Sequence, residues 1–307
     1  MEYFKQSQLS MAAYALDLTP GISGTAYTDK LKAAGMSSVQ AIAFANTYTV
    51  IDQYTDPDSG FSGTLFRNTE TGEYTFALRG TQPSDFVDDI IFADFLGIVV
   101  EGWAQEQITE MNAYFERLIT PVSLGGLGKL SSSDTVTVAG HSLGGHLATA
   151  FTLAWADHVD HTYTYNGAGT GGTDGGAGYV QLLEILGLAS STPEPNDKIT
   201  NLYAEPGLEV TAGVGVWWGD VVPVFIEDQG IIGGNLLIGN HSIAHLTDSL
   251  AVYNLFSQID DSLSLNTITS LLEIAANKAD HTLESAVTAL GKLFVTGFTP
   301  NRWRSAA

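Results

Sequence analysis

A serine flanked by glycines, placed where a strand pattern gives way to a helix pattern, constrains this chain more than any other feature. Residues 134–139 are rich in β-branched side chains and predict a short buried strand, whereas residues 145–154 predict a helix. The sequence Gly-His-Ser-Leu-Gly at 140–144 joins them and predicts a sharp turn, because glycine lets the strand and helix backbones approach closely. Glycine accounts for 33 of the 307 residues, so this pattern alone is weak and its flanking strand and helix carry the inference. Ser142 is therefore the candidate nucleophile at the carboxyl edge of a sheet, and a glycine-rich turn with an incidental serine is the alternative.

Composition sets broad limits on the class of protein. A chain of 307 residues with 44% hydrophobic content can bury a large core, most simply as one α/β domain with a short appendage. Acidic residues outnumber basic ones 34 to 12, and the formal net charge of −22 argues against a nucleic-acid partner. The chain contains no cysteine, which excludes disulfides, thiolate metal sites and a cysteine nucleophile. No signal-peptide pattern and no apolar run of membrane-spanning length is visible.

The periodicity of apolar residues predicts elements on both sides of the glycine-flanked turn. Alternating patterns at 63–68 and 73–79 predict a β-hairpin. Other strands are predicted at 162–168 and 198–204, and helices at 7–18, 37–46, 105–119, 179–188, 243–259, 265–278 and 282–294. We expect an α/β fold with a mostly parallel central sheet and flanking helices, built from residues 1–260, followed by a C-terminal helical extension at 261–307.

Two segments are ambiguous in the sequence. Residues 84–101 are too apolar for a surface loop and too rich in aspartate for a core helix. They fit a lid that covers an active-site groove and opens at a lipid surface, or an amphipathic helix packed on the domain. Residues 169–178 are glycine-rich and superficially resemble one calcium-binding repeat, but such sites need stacked copies, so a flexible loop is predicted. Whether the chain binds a structural calcium ion is left open by the sequence.

The ends of two predicted strands together resemble a known family. The strand end Phe-Ala-Leu-Arg-Gly-Thr at 76–81 is followed by the aspartate-rich segment, a helix, and Gly-His-Ser-Leu-Gly-Gly-His-Leu-Ala at 140–148. This arrangement is similar to the class 3 lipases and their bacterial relatives, which include catalytic domains of large calcium-repeat lipases exported by type I secretion. The resemblance covers residues 7–260 and implies an α/β-hydrolase fold. It also implies that the backbone N–H groups of Thr81 and Leu143 form an oxyanion hole.

A serine hydroxyl needs a neutral imidazole to accept its proton and a carboxylate to orient that imidazole. His241 lies in a predicted loop just before a helix that Ser242 can cap, where the catalytic histidine of this fold belongs. His245 would lie within the first turn of that helix. His141 and His146 flank the nucleophile and are interpreted as packing or rim residues rather than as the base.

The carboxylate is open between two residues. Glu205 directly follows the predicted strand at 198–204, where the topology of the fold requires an acid. Asp220 lies in Asp-Val-Val-Pro, which resembles the Asp-x-Val-Pro that carries the acid in class 3 lipases. Trp217 and Trp218 are expected either to line an acyl pocket or to belong to the core.

These residues imply a serine carboxylic-ester hydrolase acting on lipid esters, either triacylglycerol or phospholipid, without a cofactor for the chemistry. The expected partners are a lipid or ester substrate and a lipid–water interface. A soluble short-chain esterase or polyesterase without a true lid is one alternative, and a catalytically silent binding module with a hydrolase fold is another. Export without an N-terminal signal peptide is expected, mainly from the resemblance, with the cytoplasm as the alternative location.

Overall fold

The computed structural model describes residues 2–81, 104–170, 183–184, 186–187, 196–205, 215–226 and 240–275. The predicted lid at 84–101, most of the glycine-rich loop and of the helix predicted at 179–188, and the chain after residue 275 lie outside these residues.

A seven-stranded sheet forms the centre of the described structure, and its strands follow one another in chain order. The strands are β1 (Tyr48–Thr55), β2 (Ser62–Asn68), β3 (Tyr74–Leu78), β4 (Val136–His141), β5 (Val159–Tyr165), β6 (Ile199–Glu205) and β7 (Asp220–Phe225). The first three strands pair antiparallel, whereas β3 to β7 are parallel. Because parallel strands end at the same edge, the carboxyl ends of β3, β4, β5 and β6 all lie at one edge of the sheet.

Helices cover both faces of this sheet. They are α1 (Glu2–Ala12), α2 (Gly24–Ala33), α3 (Ser38–Thr47), α4 (Gln105–Ile119), α5 (Leu143–Ala154), α6 (Ile243–Ile259) and α7 (Leu265–Ala275). One apolar cluster is shared by α1, α2, α3 and α6, and a second lies under α4 and α5. Alternation along β3 assigns its side chains to both clusters: Phe76 and Leu78 face α4 and α5, whereas Ala77 faces the other layer.

The structure confirms several local predictions. The hairpin is formed by β2 and β3, which pair from Gly63 with Leu78 to Arg67 with Tyr74. Ser37 caps α3 through a capping box with Gln40, whose side chain in turn accepts from the Ser37 N–H. Ser242 caps α6 by accepting from the Ala244 N–H.

Other elements differ from the sequence-based prediction. The helix expected at 7–18 lies instead at Glu2–Ala12, while α2, β1 and β7 were not predicted. The strand β7 was not recognised in the sequence because it contains Pro223, and proline is disfavoured inside a sheet. Within the described sheet β7 is an edge strand, where proline is tolerated. The residues of α7 pack on β7, because Ile268 and Leu272 contact Phe225.

Glycines set the spacing between β4, β5 and α5. A Cβ at Gly140 would overlap the carbonyl oxygen of Gly144, and one at Gly144 would overlap the carbonyl oxygen of Leu78. A Cβ at Gly145 would lie 2.8 Å from the Cα of Gly167 and 3.2 Å from the Cβ of Thr164. The helix therefore begins against the strand ends at a distance that excludes any side chain.

Replacing Gly145 with alanine tests this spacing. Alanine favours a helix over glycine by about 1 kcal/mol, so helix propensity alone predicts a more stable protein. Because the added methyl group meets the backbone of Gly167, just after β5, we expect instead a loss of about 1–3 kcal/mol in the free energy of unfolding, measured by urea denaturation. Asn46→Ala, on the exposed side of α3, reports the propensity gain without a close contact. A Gly145→Ala protein as stable as the parent would contradict the close packing.

Candidate active site

Ser142 lies in a strained turn between β4 and α5, at residues 140–144, which we call the elbow, and α5 is the elbow helix. Its φ of 59° and ψ of −126° fall in a region that non-glycine residues rarely adopt, at a cost of about 1–3 kcal/mol. The residue is the N-cap of α5 and is fully buried, and its N–H donates to the carbonyl of Tyr165 at 3.0 Å. The turn thus holds the Ser142 side chain at the carboxyl edge of the sheet, above the N-terminus of a helix.

The candidate oxyanion donors lie on either side of this serine. The N–H of Leu143 is the first of α5 and has no acceptor within the helix. On the other side, the backbone after β3 passes directly beside the turn: a Cβ at Gly80 would lie 3.2 Å from the Cβ of Ser142. Thr81 follows Gly80 and is half-buried. The structure therefore brings the segment that carries Thr81 to the serine.

His241 is the histidine that the fold places beside the elbow. It is buried, it precedes the Ser242 cap of α6, and its ring centroid lies 4.8 Å from that of His141. Within the described part of the chain the Ser142 hydroxyl forms no hydrogen bond, so the serine–histidine contact of an assembled pair is not made. His245 lies in the first turn of α6, and burial lowers its pKa.

The two candidate acids are placed differently. Glu205 is the last residue of β6, at the edge that also carries Ser142, and its side chain is exposed. Burial first, and then the Glu205 carboxylate, raise the pKa of the neighbouring Tyr203. Among the described residues Glu205 makes no ion pair with His241. Asp220 is the first residue of β7, paired with Thr200 near the start of β6, and so lies towards the opposite edge.

The other sequence-predicted residues have structural partners. His146 is buried and bonds the carbonyl of Gly169 through Nδ1 at 2.9 Å; burial lowers its pKa. The indole N–H of Trp217 donates to the Gly167 carbonyl, and that of Trp218 to the Thr170 hydroxyl. Both tryptophans therefore brace the loop after β5 while remaining partly exposed.

Two buried residues at this edge were not identified from the sequence. Tyr14, just after α1, hydrogen-bonds Nδ1 of His141 at 2.8 Å. Asn166, directly after β5, donates from Nδ2 to the carbonyls of Asn240 and His241. The only sequence signal was the Asn-Gly pair at 166–167, which is typical of a turn; nothing local marks Tyr14.

The described residues also bear on metal binding and on membrane insertion. In those ranges no three histidine, aspartate or glutamate side chains are grouped to hold a metal ion. Among the helices described, none combines the length and apolarity needed to cross a bilayer.

A sheet whose last five strands are parallel, helices on both faces, and a strained serine between the strand β4 and the helix α5 define the α/β-hydrolase fold. No protein-family model matches the chain, and no curated protein matches it.

Solved structures similar to this chain include three fungal lipases. Lip2 lipase from Yarrowia lipolytica is 15% identical, with a TM-score of 0.44, over 76% of this chain and 81% of that one. Lipase II from Rhizopus niveus is 18% identical, with a TM-score of 0.36, over 66% and 71% of the two chains. A triacylglycerol lipase from Penicillium expansum is 14% identical, with a TM-score of 0.36, over 73% and 78%. Likenesses at this score and identity carry no information on activity, and the link to bacterial calcium-repeat lipases stays a prediction.

Proposed function

We propose that this protein is a serine carboxylic-ester hydrolase in which Ser142 is the nucleophile and His241 is the general base. The observation that carries the proposal is the strained, fully buried Ser142 at the N-terminus of α5, with the His241 loop packed against the same strand end. Strain of this kind persists only where surrounding structure imposes it, and it clusters at reactive sites.

The proposed reaction follows from these positions. Ser142 Oγ attacks the ester carbonyl carbon while His241 accepts the hydroxyl proton. The N–H groups of Thr81 and Leu143 donate to the resulting oxyanion, and the positive end of the α5 dipole adds to its stabilisation. When the tetrahedral intermediate collapses, the ester C–O bond breaks, His241 gives its proton to the departing alcohol, and the acyl group stays on Ser142. A water molecule, deprotonated by His241, then attacks this acyl group, which releases the acid and restores Ser142.

Glu205 is the proposed acid, because it ends β6 on the same edge as Ser142. Asp220 begins its strand, and its charge acts on His161 and Tyr3 rather than on the elbow. When Ser142, His241 and Glu205 assemble into the proposed triad, the Glu205 carboxylate moves from its exposed position to the imidazole of His241.

Lipid esters are the proposed substrates, supported by the apolar sequence of residues 84–101, which lies between the oxyanion segment and α4. The proposed reaction uses no cofactor. We also propose that the protein is secreted.

Replacing Ser142 with alanine tests the central proposal. Hydrolysis of p-nitrophenyl esters should fall by at least ~10³-fold, because the reaction loses its nucleophile. His241→Ala should cause a comparable loss. His245→Ala, a matched change four residues further on, should retain turnover within about threefold, because His245 is proposed to take no part in proton transfer. Turnover by Ser142→Ala at the parent rate would exclude the proposal, and the opposite behaviour of the two histidine variants would move the base.

The acid is tested by two isosteric changes. Glu205→Gln should lower kcat by about 10²-fold or more, since a neutral amide cannot stabilise the imidazolium. Asp220→Asn should leave kcat within about threefold, because it begins a strand away from the site. Full activity in Glu205→Gln would remove Glu205 from the triad.

The substrate class is tested with the parent protein. Ester hydrolysis per molecule should rise when a short-chain triacylglycerol passes its solubility limit, because apolar side chains exposed in water cost about 25 cal/mol per Å² and are stabilised at a lipid interface. Rates that follow the dissolved concentration alone, with no rise at that limit, would favour a soluble esterase.

A further inference from the structure

A chain of buried hydrogen bonds leads from Tyr14, beside the end of β3, to the loop of the proposed base. The backbone of Gly80 passes next to the Tyr14 hydroxyl, since a Cβ at Gly80 would lie 2.7 Å from its oxygen, and this hydroxyl lies 2.8 Å from Nδ1 of His141. Nε2 of the same imidazole lies 2.6 Å from the carbonyl oxygen of His241. These contacts join the segments before Thr81, before Ser142 and at His241.

The direction of each bond follows from its partners. A carbonyl oxygen can only accept, so Nε2 of His141 carries the proton and Nδ1 is the unprotonated acceptor of the Tyr14 hydroxyl. Burial, and then the neighbouring His241, hold the pKa of His141 well below its usual value. Burial also raises the pKa of Tyr14, so its hydroxyl keeps the proton that it donates. His141 is thus a neutral imidazole in one fixed tautomer.

Asn166 completes the arrangement from the neighbouring strand. It is fully buried with a φ of 44°, which asparagine tolerates better than most residues. Its Nδ2 is 3.2 Å from the His241 carbonyl and 3.1 Å from that of Asn240, while its Oδ1 accepts from the N–H of Ala204. Both lone pairs of the His241 carbonyl are therefore engaged, one by the end of β4 and one by the end of β5.

We propose that Tyr14, His141 and Asn166 are positioning residues that fix the backbone of His241, and thereby the approach of its imidazole to Ser142. This inference rests on the function proposed above. The two donors hold the His241 peptide unit against the ends of β4 and β5, and β4 leads directly to Ser142, so the base and the serine are held by the same pair of adjacent strands. Because His141 stays neutral, it places no positive charge beside the imidazolium that forms during catalysis.

A purely structural role is the competing explanation, since buried polar groups must be hydrogen-bonded in any fold. The two explanations differ in what they predict for catalysis. A structural role lowers stability and leaves the kinetics of the folded fraction unchanged. A positioning role lowers kcat at unchanged KM, because a misplaced base slows proton transfer without weakening substrate binding.

Tyr14→Phe is the mildest test, because it removes one hydroxyl and keeps the ring. We expect kcat for a p-nitrophenyl ester to fall by about tenfold with KM within about twofold, and phosphonylation of Ser142 by a p-nitrophenyl phosphonate to slow in parallel. The matched control is Tyr27→Phe, since Tyr27 is also buried in the same apolar layer and its hydroxyl has no partner in the described residues. Tyr27→Phe should keep the parent kcat.

His141 provides the second test. His141→Leu removes the donor to the His241 carbonyl and should lower kcat by about 10²-fold. His141→Gln can place an amide N–H near the position of Nε2 and should recover kcat to within about fivefold of the parent. If His141→Leu does not fold, Tyr14→Phe and His141→Gln still decide the outcome.

The results separate this inference from the proposed function. An active parent with parent-like kcat in both Tyr14→Phe and His141→Leu would overturn the positioning role and leave the hydrolase proposal intact. So would equal losses in Tyr14→Phe and Tyr27→Phe, or a rise in KM at constant kcat. A parent without ester turnover or Ser142 phosphonylation would instead exclude the hydrolase on which the inference rests.

Discussion

The close approach of β4 to α5 is the constraint on which the rest of the structure depends. Glycines at 140, 144 and 145 let the helix begin against the ends of three strands, with no room for a side chain between them. This spacing forces the chain to reverse within a single residue, and Ser142 takes the strained conformation that results. The apolar cluster under α4 and α5, built from residues such as Phe76, Phe115 and Phe151, holds the helix in that position. The strained conformation of Ser142 is therefore maintained by ordinary core packing.

The helical layers on the two faces of the sheet differ in how their buried polar groups are arranged. The face under α4 and α5 is mainly apolar, and the buried hydroxyls of its elbow helix, Thr149 and Thr152, bond carbonyls of the same helix, with Thr152 also bonding Thr162 on β5. The opposite face, which packs against α1 and α6, admits a line of buried polar groups through Tyr14 and His141 to the loop before α6. A buried polar chain is stabilising only when each member has a partner, because an orphaned group retains the full cost of its desolvation. The polar line thus specifies how α1, β4 and α6 fit together more narrowly than apolar contacts do.

The sequence predicted those parts of the candidate site that arise from local pattern. The elbow was visible because a β-branched strand, a glycine-flanked serine and a helix are contiguous, and the position of His241 was visible because Ser242 marks the start of the helix that follows it. Tyr14 could not be recognised, since its role depends on a partner 127 residues away. The proposal of Glu205 rather than Asp220 uses the positions of these residues at the end and at the start of their strands, and β7 could not be recognised in the sequence because Pro223 lies in it. Where the other strands begin and end is set by pairing with neighbouring strands, and a short stretch of sequence does not contain that information.

Ser142 and Asn166, which both have positive φ, directly follow the central strands β4 and β5. Hydrogen bonds to the neighbouring strands explain why both keep this strained conformation. The N–H of Ser142 donates to the carbonyl of Tyr165, and the N–H of Asn166 donates to that of Leu202, so each strained residue extends the parallel ladder by one further bond. The ladder then passes through a side chain, because Oδ1 of Asn166 accepts from the N–H of Ala204. Strain at either residue is thereby opposed by hydrogen bonds on the adjacent strand rather than by its own local sequence. The ends of β4, β5 and β6, which carry Ser142, Asn166 and Ala204, are therefore one continuous hydrogen-bonded structure.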